Sequence, residues 1–346
     1  MQLAPFPPSE KHPYAVLAVT LLRSRVLGSA STADNFSLAA VSRRVAWLLL
    51  AGALGCRGQG CLGSSLEGEV DGQRFVRCAQ ADAPAERAVR VGALQLTIDG
   101  RVLSIEGASE LRIAAFTGPV GTELAAADLD LLRDARPGLI FYLGGLGDSE
   151  AVARQNLTSL AALHVPSLFI AGGADRLPII DAAFAALGEG ERDYVLHASG
   201  LREVRIGSDR FVIAAGAARG RYALDALSCG LTDDDMAQLQ GAALETQQRG
   251  RTWLLSWHAP AGAGVSEGFG GTELGSPDLQ ALGKVIGAEG GLFAYPEVQA
   301  GKPRMPGLAL VVPRLSRVGT ARADGSRLRS QVARLLWSRE GLVPSP

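Results

Sequence analysis

The stretch Leu139–Pro178, LIFYLGGLGDSEAVARQNLTSLAALHVPSLFIAGGADRLP, decides the fold of this chain. Two short apolar runs, Leu139–Leu143 and Val165–Ala171, flank the segment Glu150–His164, which carries apolar residues at helical spacing. An apolar strand, a helix and a second apolar strand form a βαβ unit, in which the two strands run parallel. Both strands are apolar throughout, as is typical of a sheet that is covered on both faces by helices. We therefore predict an α/β fold.

Each predicted strand of this unit ends in a glycine-rich turn that leads to an aspartate. The first turn contains Gly145 and leads to Asp148, and the second contains Gly173 and leads to Asp175. In α/β proteins the loops at the carboxyl ends of parallel strands carry the functional residues. We therefore expect two walls of any functional site in these loops.

Composition limits the class of protein. The chain has 346 residues, of which 47% are hydrophobic and 20% charged, so it is long enough to bury a full core. Its net charge of −1 gives no electrostatic basis for binding a polyanion. We expect no nucleic-acid partner.

Residues 1–55 have the pattern of a leader and signal peptide. Arg43 and Arg44 precede the apolar run VAWLLLAGALG, which ends at Cys56. A basic segment followed by an apolar run of roughly ten residues is typical of a secretory signal. A membrane-spanning helix needs about 20 apolar residues, so this run is too short to span a bilayer.

The four residues Ala53–Cys56 resemble the lipobox of bacterial lipoproteins. In that class of proteins the cysteine becomes the lipidated first residue of the mature chain. The resemblance implies lipid on Cys56, a lipid anchor in the membrane, and location in a bacterial cell envelope on the periplasmic or extracytoplasmic face. The alternatives are plain secretion, or an N-terminal helix buried in the protein.

Lipid on Cys56 would leave three cysteines whose states can be considered next. Residues 56–66 are predicted to form a flexible tether. With Cys56 lipidated, Cys61 and Cys78 are available to pair in an oxidising compartment, and their disulfide state stays open. Cys229 then remains as a buried thiol.

Residues 67–106 form a small β-rich segment, and residues 107–340 form the main domain. The pair Asp99-Gly100 predicts a tight hairpin, because Asp-Gly favours the turn types that match strand twist. This segment is expected either as a small β-subdomain or as extra edge strands on the main sheet. Ser326–Trp337 is predicted to be a closing helix.

Five loops at predicted strand ends follow one another through the main domain. In chain order they are Thr117–Gly121, Gly144–Asp148, Gly172–Asp175, His258–Pro260 and Pro296–Gly301. Their order resembles the calcineurin-like metallophosphoesterases, with the motifs D-x-H, G-D-x-x-D, G-N-H-D, a histidine with proline two places on, and G-H-x-H. The resemblance implies a β-sandwich flanked by helices, with metal ligands on the strand-end loops.

The same resemblance implies that most metal ligands are replaced. Gly145 stands in place of the bridging aspartate, and Gly173 in place of an asparagine ligand. Glu297 and Gln299 replace the last two histidines, and among the ligands only His258 is retained. Two-metal phosphoester hydrolysis needs a bridging carboxylate, which glycine does not supply.

We therefore predict a metallophosphoesterase-like protein with a degenerate metal site and no resident cofactor. Its expected role is non-catalytic, as a binding or scaffold protein for an unknown protein or small molecule. The alternative is a metal-dependent phosphoric ester hydrolase, so enzyme status stays open. That enzyme would hold one divalent ion between His258, Glu297 and Asp148, because histidine with carboxylates suits Zn or Mn.

Each candidate also has a structural interpretation. His258 is expected to be satisfied by a backbone carbonyl at a strand end. Asp148 and Asp175 are expected to form loops or cap helices, and Glu297 and Gln299 to be solvated. The glycine-rich segment Gly262–Gly275 either covers a small ligand or is simply flexible.

Overall fold

The structure is a computed structural model that describes residues 67–345, except 71, 120, 219–221, 246–249, 268–271, 296–308, 316–319, 322–326 and 329. Several predictions therefore lie outside the described residues: lipid on Cys56, the state of Cys61, and the placement of Glu297 and Gln299. Within the described ranges, no helix is long and apolar enough to cross a bilayer.

Strands dominate the part of the chain that is described. In chain order they are β1 Glu67–Val70, β2 Gln73–Arg77, β3 Arg87–Val91, β4 Leu94–Asp99, β5 Val102–Glu106, β6 Leu111–Phe116, β7 Leu139–Leu143, β8 Ser167–Ile170, β9 Val195–His197, β10 Glu203–Ile206, β11 Asp209–Ala214, β12 Cys229–Gly230, β13 Thr252–His258, β14 Gly290–Tyr295, β15 Ala309–Val311, β16 Thr320–Ala321, β17 Arg327–Leu328, β18 Ala333–Ser338 and β19 Gly341–Pro344.

Five α-helices are described, together with a 3₁₀ turn at Cys78–Gln80. The helices are α1 Ala126–Ala135, α2 Glu150–Ala161, α3 Leu177–Ala185, α4 Asp233–Glu245 and α5 Pro277–Val285. Two of them begin at serine caps, because Ser149 and Ser276 each accept a hydrogen bond from a backbone N–H in the first turn.

The predicted βαβ unit is confirmed as the centre of a six-stranded sheet, with the order β19-β18-β6-β7-β8-β9. The strands β6 to β9 are parallel, with Ile140 opposite Ser167 in the register of β7 and β8. Strand β7 is buried along its whole length, which accounts for its uniformly apolar sequence.

A second sheet has eight strands in the order β15-β14-β13-β11-β10-β5-β4-β3. Its strands β11, β13, β14 and β15 run parallel to one another. The Asp99-Gly100 hairpin is confirmed: Asp99 pairs with Val102 between the antiparallel strands β4 and β5. Strands β3 to β5 thus extend one edge of this sheet, while β1, β2 and β12 form a separate small sheet.

The core lies between the two large sheets and beneath the helices that flank them. Phe141 of β7 and Phe211 of β11 meet across the interior with ring centroids 5.5 Å apart. On the other face of β11, Val212 packs in a second cluster with Leu239 of α4 and Leu279 of α5. Alternate residues of β11 therefore point into two different hydrophobic cores, one on each face of the sheet. The predicted α/β fold is a pair of stacked sheets flanked by helices.

Two predictions are wrong. Ser326–Trp337 is not a closing helix, because its described part forms β17 and most of β18, and β18 pairs antiparallel with β6. Cys229 is not a free thiol either. It forms a disulfide with Cys78 at a Cα–Cα distance of 5.3 Å, so Cys78 is not available to Cys61.

Candidate functional site

The predicted site loops that the structure describes lie at the carboxyl ends of strands from both large sheets. The loops after β7 and β8 belong to the six-stranded sheet, whereas β13 and β14 belong to the eight-stranded sheet. Trp257 of β13, in the eight-stranded sheet, contacts both loops of the six-stranded sheet, because its indole lies against Gly144 and Gly172. A Cβ placed on Gly144 would come within 2.5 Å of the Trp257 indole.

Asp175 ties the two glycine-rich loops to each other. Its buried carboxylate accepts hydrogen bonds from Gly172 N at 2.7 Å, Gly145 N at 2.9 Å and Leu146 N at 2.9 Å. Burial raises the pKa of Asp175, while these three backbone donors lower it in part. Asp175 therefore holds the two loops in place, and its carboxylate oxygens are engaged by backbone N–H groups.

The backbone around Gly145 leaves no space for a side chain. Gly145 has φ of +81°, and a Cβ there would lie 2.6 Å from the carbonyl oxygen of Gly118. The carbonyl of Gly145 accepts a 2.7 Å hydrogen bond from the hydroxyl of Tyr142, which is fully buried. Burial raises the pKa of Tyr142 well above its usual range, so the phenol remains a donor.

Gly173 is enclosed in a similar way by the segment that follows β11. A Cβ on Gly173 would collide with the carbonyl oxygen of Tyr222 and lie 3.0 Å from the Trp257 ring. The carbonyl of Gly173 accepts a 2.9 Å hydrogen bond from Leu224 N. This segment therefore closes over the loop at the position of the expected asparagine ligand.

An aromatic cluster occupies the edge where the two sets of loops meet. Trp257 stacks on Tyr295, with ring centroids 4.9 Å apart and an interplanar angle of 15°. Tyr222 stands edge-on to His258 at 4.8 Å. His258 and Tyr295 are paired residues in the parallel register of β13 and β14, so the ends of two adjacent strands supply three of the four rings.

His258 is buried beneath the segment that connects β13 to α5. Its Nε2 lies 2.7 Å from the carbonyl oxygen of Leu274, and the residue has 0% exposure. The connecting segment is fastened at its base, since Ser276 N donates to the carbonyl of Ala259 and Ala261 N donates to that of Ser276, both at 2.9 Å. A backbone carbonyl thus lies within hydrogen-bonding distance of the one histidine that the sequence resemblance marks as a metal ligand.

Asp148 is the remaining metal-ligand candidate within the described ranges. It is exposed and follows the Gly145 loop, whereas the His258 ring is buried under the connecting segment. Histidine, cysteine, aspartate and glutamate side chains in the described residues form no group of three or more that could hold a metal ion. The described donors therefore do not fit the two-metal centre that the family resemblance implies.

Sequence reasoning missed the aromatic residues. Tyr222, Trp257 and Tyr295 were not candidates, although Trp257 precedes His258 and Tyr295 is the last residue of its strand. The sequence signal that indicates this cluster is the presence of aromatic residues at the ends of neighbouring parallel strands. Their convergence with Tyr222 depends on a segment far away in the sequence.

No protein-family model and no curated protein matches the sequence. Solved structures with a similar arrangement include TT1561 of Thermus thermophilus, at 15% identity and a TM-score of 0.43, covering 60% of this chain and 90% of that one. A purple acid phosphatase from yellow lupin (Lupinus luteus) seeds matches at 13% identity and a TM-score of 0.34, covering 59% and 43%. PhoD matches at 9% identity and a TM-score of 0.38, covering 70% and 68%. These likenesses have TM-scores below 0.5 and carry no argument about function.

Proposed function

We propose that this protein is a metallophosphoesterase-like binding or scaffold protein whose strand-end site is non-catalytic. The single observation that carries the proposal is the closed backbone at Gly145. A bridging carboxylate at this position would need a Cβ where the Gly118 carbonyl lies, 2.6 Å away. Position 145 of the second loop therefore offers no side-chain ligand, and it has no space for one without rearrangement.

Two further contacts support the proposal. The Trp257 indole lies against Gly144 and Gly172, so an apolar ring fills space beside the loops where polar ligands are expected. His258 directs Nε2 at the Leu274 carbonyl, so binding a metal through this nitrogen would require losing a buried hydrogen bond. Loss of a buried hydrogen bond typically costs about 1–3 kcal/mol, which opposes metal binding.

The proposed location is the cell envelope of a bacterium, with the protein held by a lipid on Cys56. The disulfide between Cys78 and Cys229 supports export, because disulfides persist mainly in oxidising compartments. The lipobox-like sequence before Cys56 supports attachment to a membrane through acyl chains. Mass spectrometry of membrane-extracted protein tests this proposal: we expect Cys56 as a modified first residue. A mature chain that still contains Arg43 and Arg44 would refute it.

The test of the non-catalytic role combines metal analysis with an activity assay. We expect purified protein to show no turnover of an aryl phosphate with added Mn²⁺, Zn²⁺ or Mg²⁺, because the second loop lacks the bridging ligand. Losing even one well-placed electrostatic group typically lowers kcat by about 10²–10³. Stoichiometric bound metal together with turnover would contradict the proposal.

The second candidate function is a rearranged one-metal phosphoesterase that uses His258, Glu297 and Asp148. It predicts metal-dependent turnover that His258→Ala abolishes while Asp148→Asn weakens metal binding. Thermal unfolding of His258→Ala would be measured alongside, since this residue is fully buried. His164→Asn is a suitable control, because His164 is exposed.

A further inference from the structure

A groove lies beside helix α5, outside the strand-end site. Its volume is about 400 Å³. It runs between residues 260–263 on one side and, on the other, helix α5 at Leu279 and Gly283 together with residues 287–289 after the helix. Cavities that bind small molecules are typically about 300–1,000 Å³, so this one is large enough for a ligand of two or three rings.

The floor of the groove is apolar. Leu279 is fully buried and Ala263 is 4% exposed, and both line the cavity. Gly283 lies one turn beyond Leu279 and lines the cavity as well. Among the described residues outside the backbone of its own helix, a Cβ on Gly283 would meet only the Cβ of Ala288, at 4.0 Å, so the space above this glycine is open.

The loop wall of the groove is fixed by hydrogen bonds. The carboxylate of Glu273 accepts from Gly262 N at 2.9 Å and from Gly275 N at 2.7 Å. Ala261 N donates to the carbonyl of Ser276, the residue that caps α5. The groove is therefore formed before any ligand arrives, which reduces the entropy cost of binding.

Polar groups are confined to the rim. Gln280 and Lys284 of α5 line one side, one helical turn apart, and Glu289 lines the exit after the helix. Lys284 is exposed, and it takes part in none of the ion pairs found in the described part of the chain. An ammonium at the rim of an apolar floor matches a ligand with an apolar ring system and one acidic group. The carboxylate of Glu289 repels an acidic group, so the acidic group of the ligand is placed on the side of the groove where Lys284 lies.

We propose that this groove binds small amphipathic acids, with the ring system over Gly283 and the acidic group at Lys284. The proposal does not rest on the non-catalytic role, because ligand would bind here whether or not the strand-end loops hydrolyse phosphate esters. The sequence alone allows two roles for Gly262–Gly275, covering a ligand or simple flexibility. Residues 262 and 263, at the beginning of that segment, line the groove, so we assign to them the role of covering a ligand.

The test uses 1-anilinonaphthalene-8-sulfonate as the acidic probe and N-phenyl-1-naphthylamine as its uncharged analogue. Wild-type protein is expected to bind both with saturation, as measured by fluorescence titration. Gly283→Leu fills the groove and should weaken both by at least about tenfold. Lys284→Met should weaken only the sulfonate, by about two- to fivefold, the value of an exposed ion pair.

Gly241→Leu is the matched control. Gly241 is a helix glycine of α4, and outside its own helix backbone no atom of the described residues lies within 4 Å of the point that its Cβ would occupy, so leucine is tolerated there, away from the groove. Binding equal to wild type in Gly241→Leu supports the proposal. Binding equal to wild type in a folded Gly283→Leu, checked by its unfolding midpoint, would overturn it. Equal loss of both probes in Lys284→Met would overturn the assignment of the acidic group.

Discussion

At the scale of single residues, backbone geometry determines which side chains the strand-end loops accommodate. Gly145 combines a positive φ with a carbonyl neighbour 2.6 Å from its would-be Cβ, so an L-residue would be strained and crowded at once. Asp175 holds this arrangement by accepting from both loops. We therefore expect a side chain at position 145 to strain the loop instead of providing a metal ligand.

His197 gives a pH-dependent prediction at this scale. Burial lowers its pKa from 6.5 to about 4, and its Nε2 is shut off from solvent with no hydrogen-bond partner among the described residues. The unfolded chain then binds a proton that the folded chain excludes, so stability falls as pH drops from about 6.5 towards 4. We expect the free energy of unfolding to decrease by roughly 2 kcal/mol between pH 7 and pH 5 from this group. The Asp181 carboxylate, 3.7 Å from Nδ1, acts in the opposite direction when ionised.

Urea unfolding at several pH values measures this effect. His197→Phe should flatten the slope, because a phenyl ring keeps the stacking on Phe184, whose centroid lies 5.1 Å away. His164→Asn is the control, since His164 is exposed with a φ of 54°, which asparagine tolerates. An unchanged slope in His197→Phe would show that other groups cause the pH dependence.

At the scale of elements, Asp209 fastens the C-terminal hairpin of β18 and β19 to the eight-stranded sheet. Its carboxylate accepts from the indole N–H of Trp337 at 3.0 Å and from Nε of Arg251 at 3.1 Å. Arg251 in turn donates to the carbonyls of Ser338 and Arg339. One buried carboxylate thus organises a contact between strands of two different sheets.

We expect Asp209→Asn to lower the free energy of unfolding by about 2–3 kcal/mol, because it leaves the guanidinium of Arg251 without its charged partner. Chemical unfolding monitored by tryptophan fluorescence measures the loss. Asp130→Asn is the matched control, since the Asp130–Arg133 pair at 2.7 Å is exposed on both sides. That change should cost at most about 1 kcal/mol. Equal losses in the two variants would contradict a fastening role for Asp209.

At the scale of the whole molecule, the disulfide between Cys78 and Cys229 closes a sequence separation of 151 residues. Chain-entropy arguments give roughly 5 kcal/mol of stabilisation for a loop of this length. The neighbouring contact is a buried ion pair, in which Arg77 donates to Asp235 at 2.8 Å. The small sheet of β1, β2 and β12 is therefore closed by a covalent bond and joined to α4 by a charged contact.

Cys78→Ser and Cys229→Ser should each lower the unfolding midpoint to the value of reduced wild-type protein. Cys61→Ser should leave both the midpoint and its response to reductant unchanged. Unfolding with and without reductant, together with mass mapping of the disulfide, provides the measurement. A midpoint that drops in Cys61→Ser as much as in Cys78→Ser would instead support the Cys61–Cys78 pairing.

The sequence by itself determined the elements whose signals are local. Continuous apolar runs around a helical segment specified the parallel strands β7 and β8, and Asp99-Gly100 specified a hairpin, because strand burial and turn geometry depend on adjacent residues. The same reasoning gave His258 a backbone carbonyl as its partner. It failed at Ser326–Trp337, where spacing alone did not separate a helix from a strand and pairing with β6 selected the strand.

Only the tertiary structure decided the character of the strand-end edge and the disulfide. Trp257 reaches Gly144 and Gly172 across two sheets, and Tyr222 closes over Gly173, through contacts between residues far apart in sequence. Cys78 meets Cys229 for the same reason. Such contacts are fixed by how the two sheets stack and not by any local pattern. In the sequence, Gly145 stands where a ligand is expected; in the structure, this position has no space for a ligand side chain.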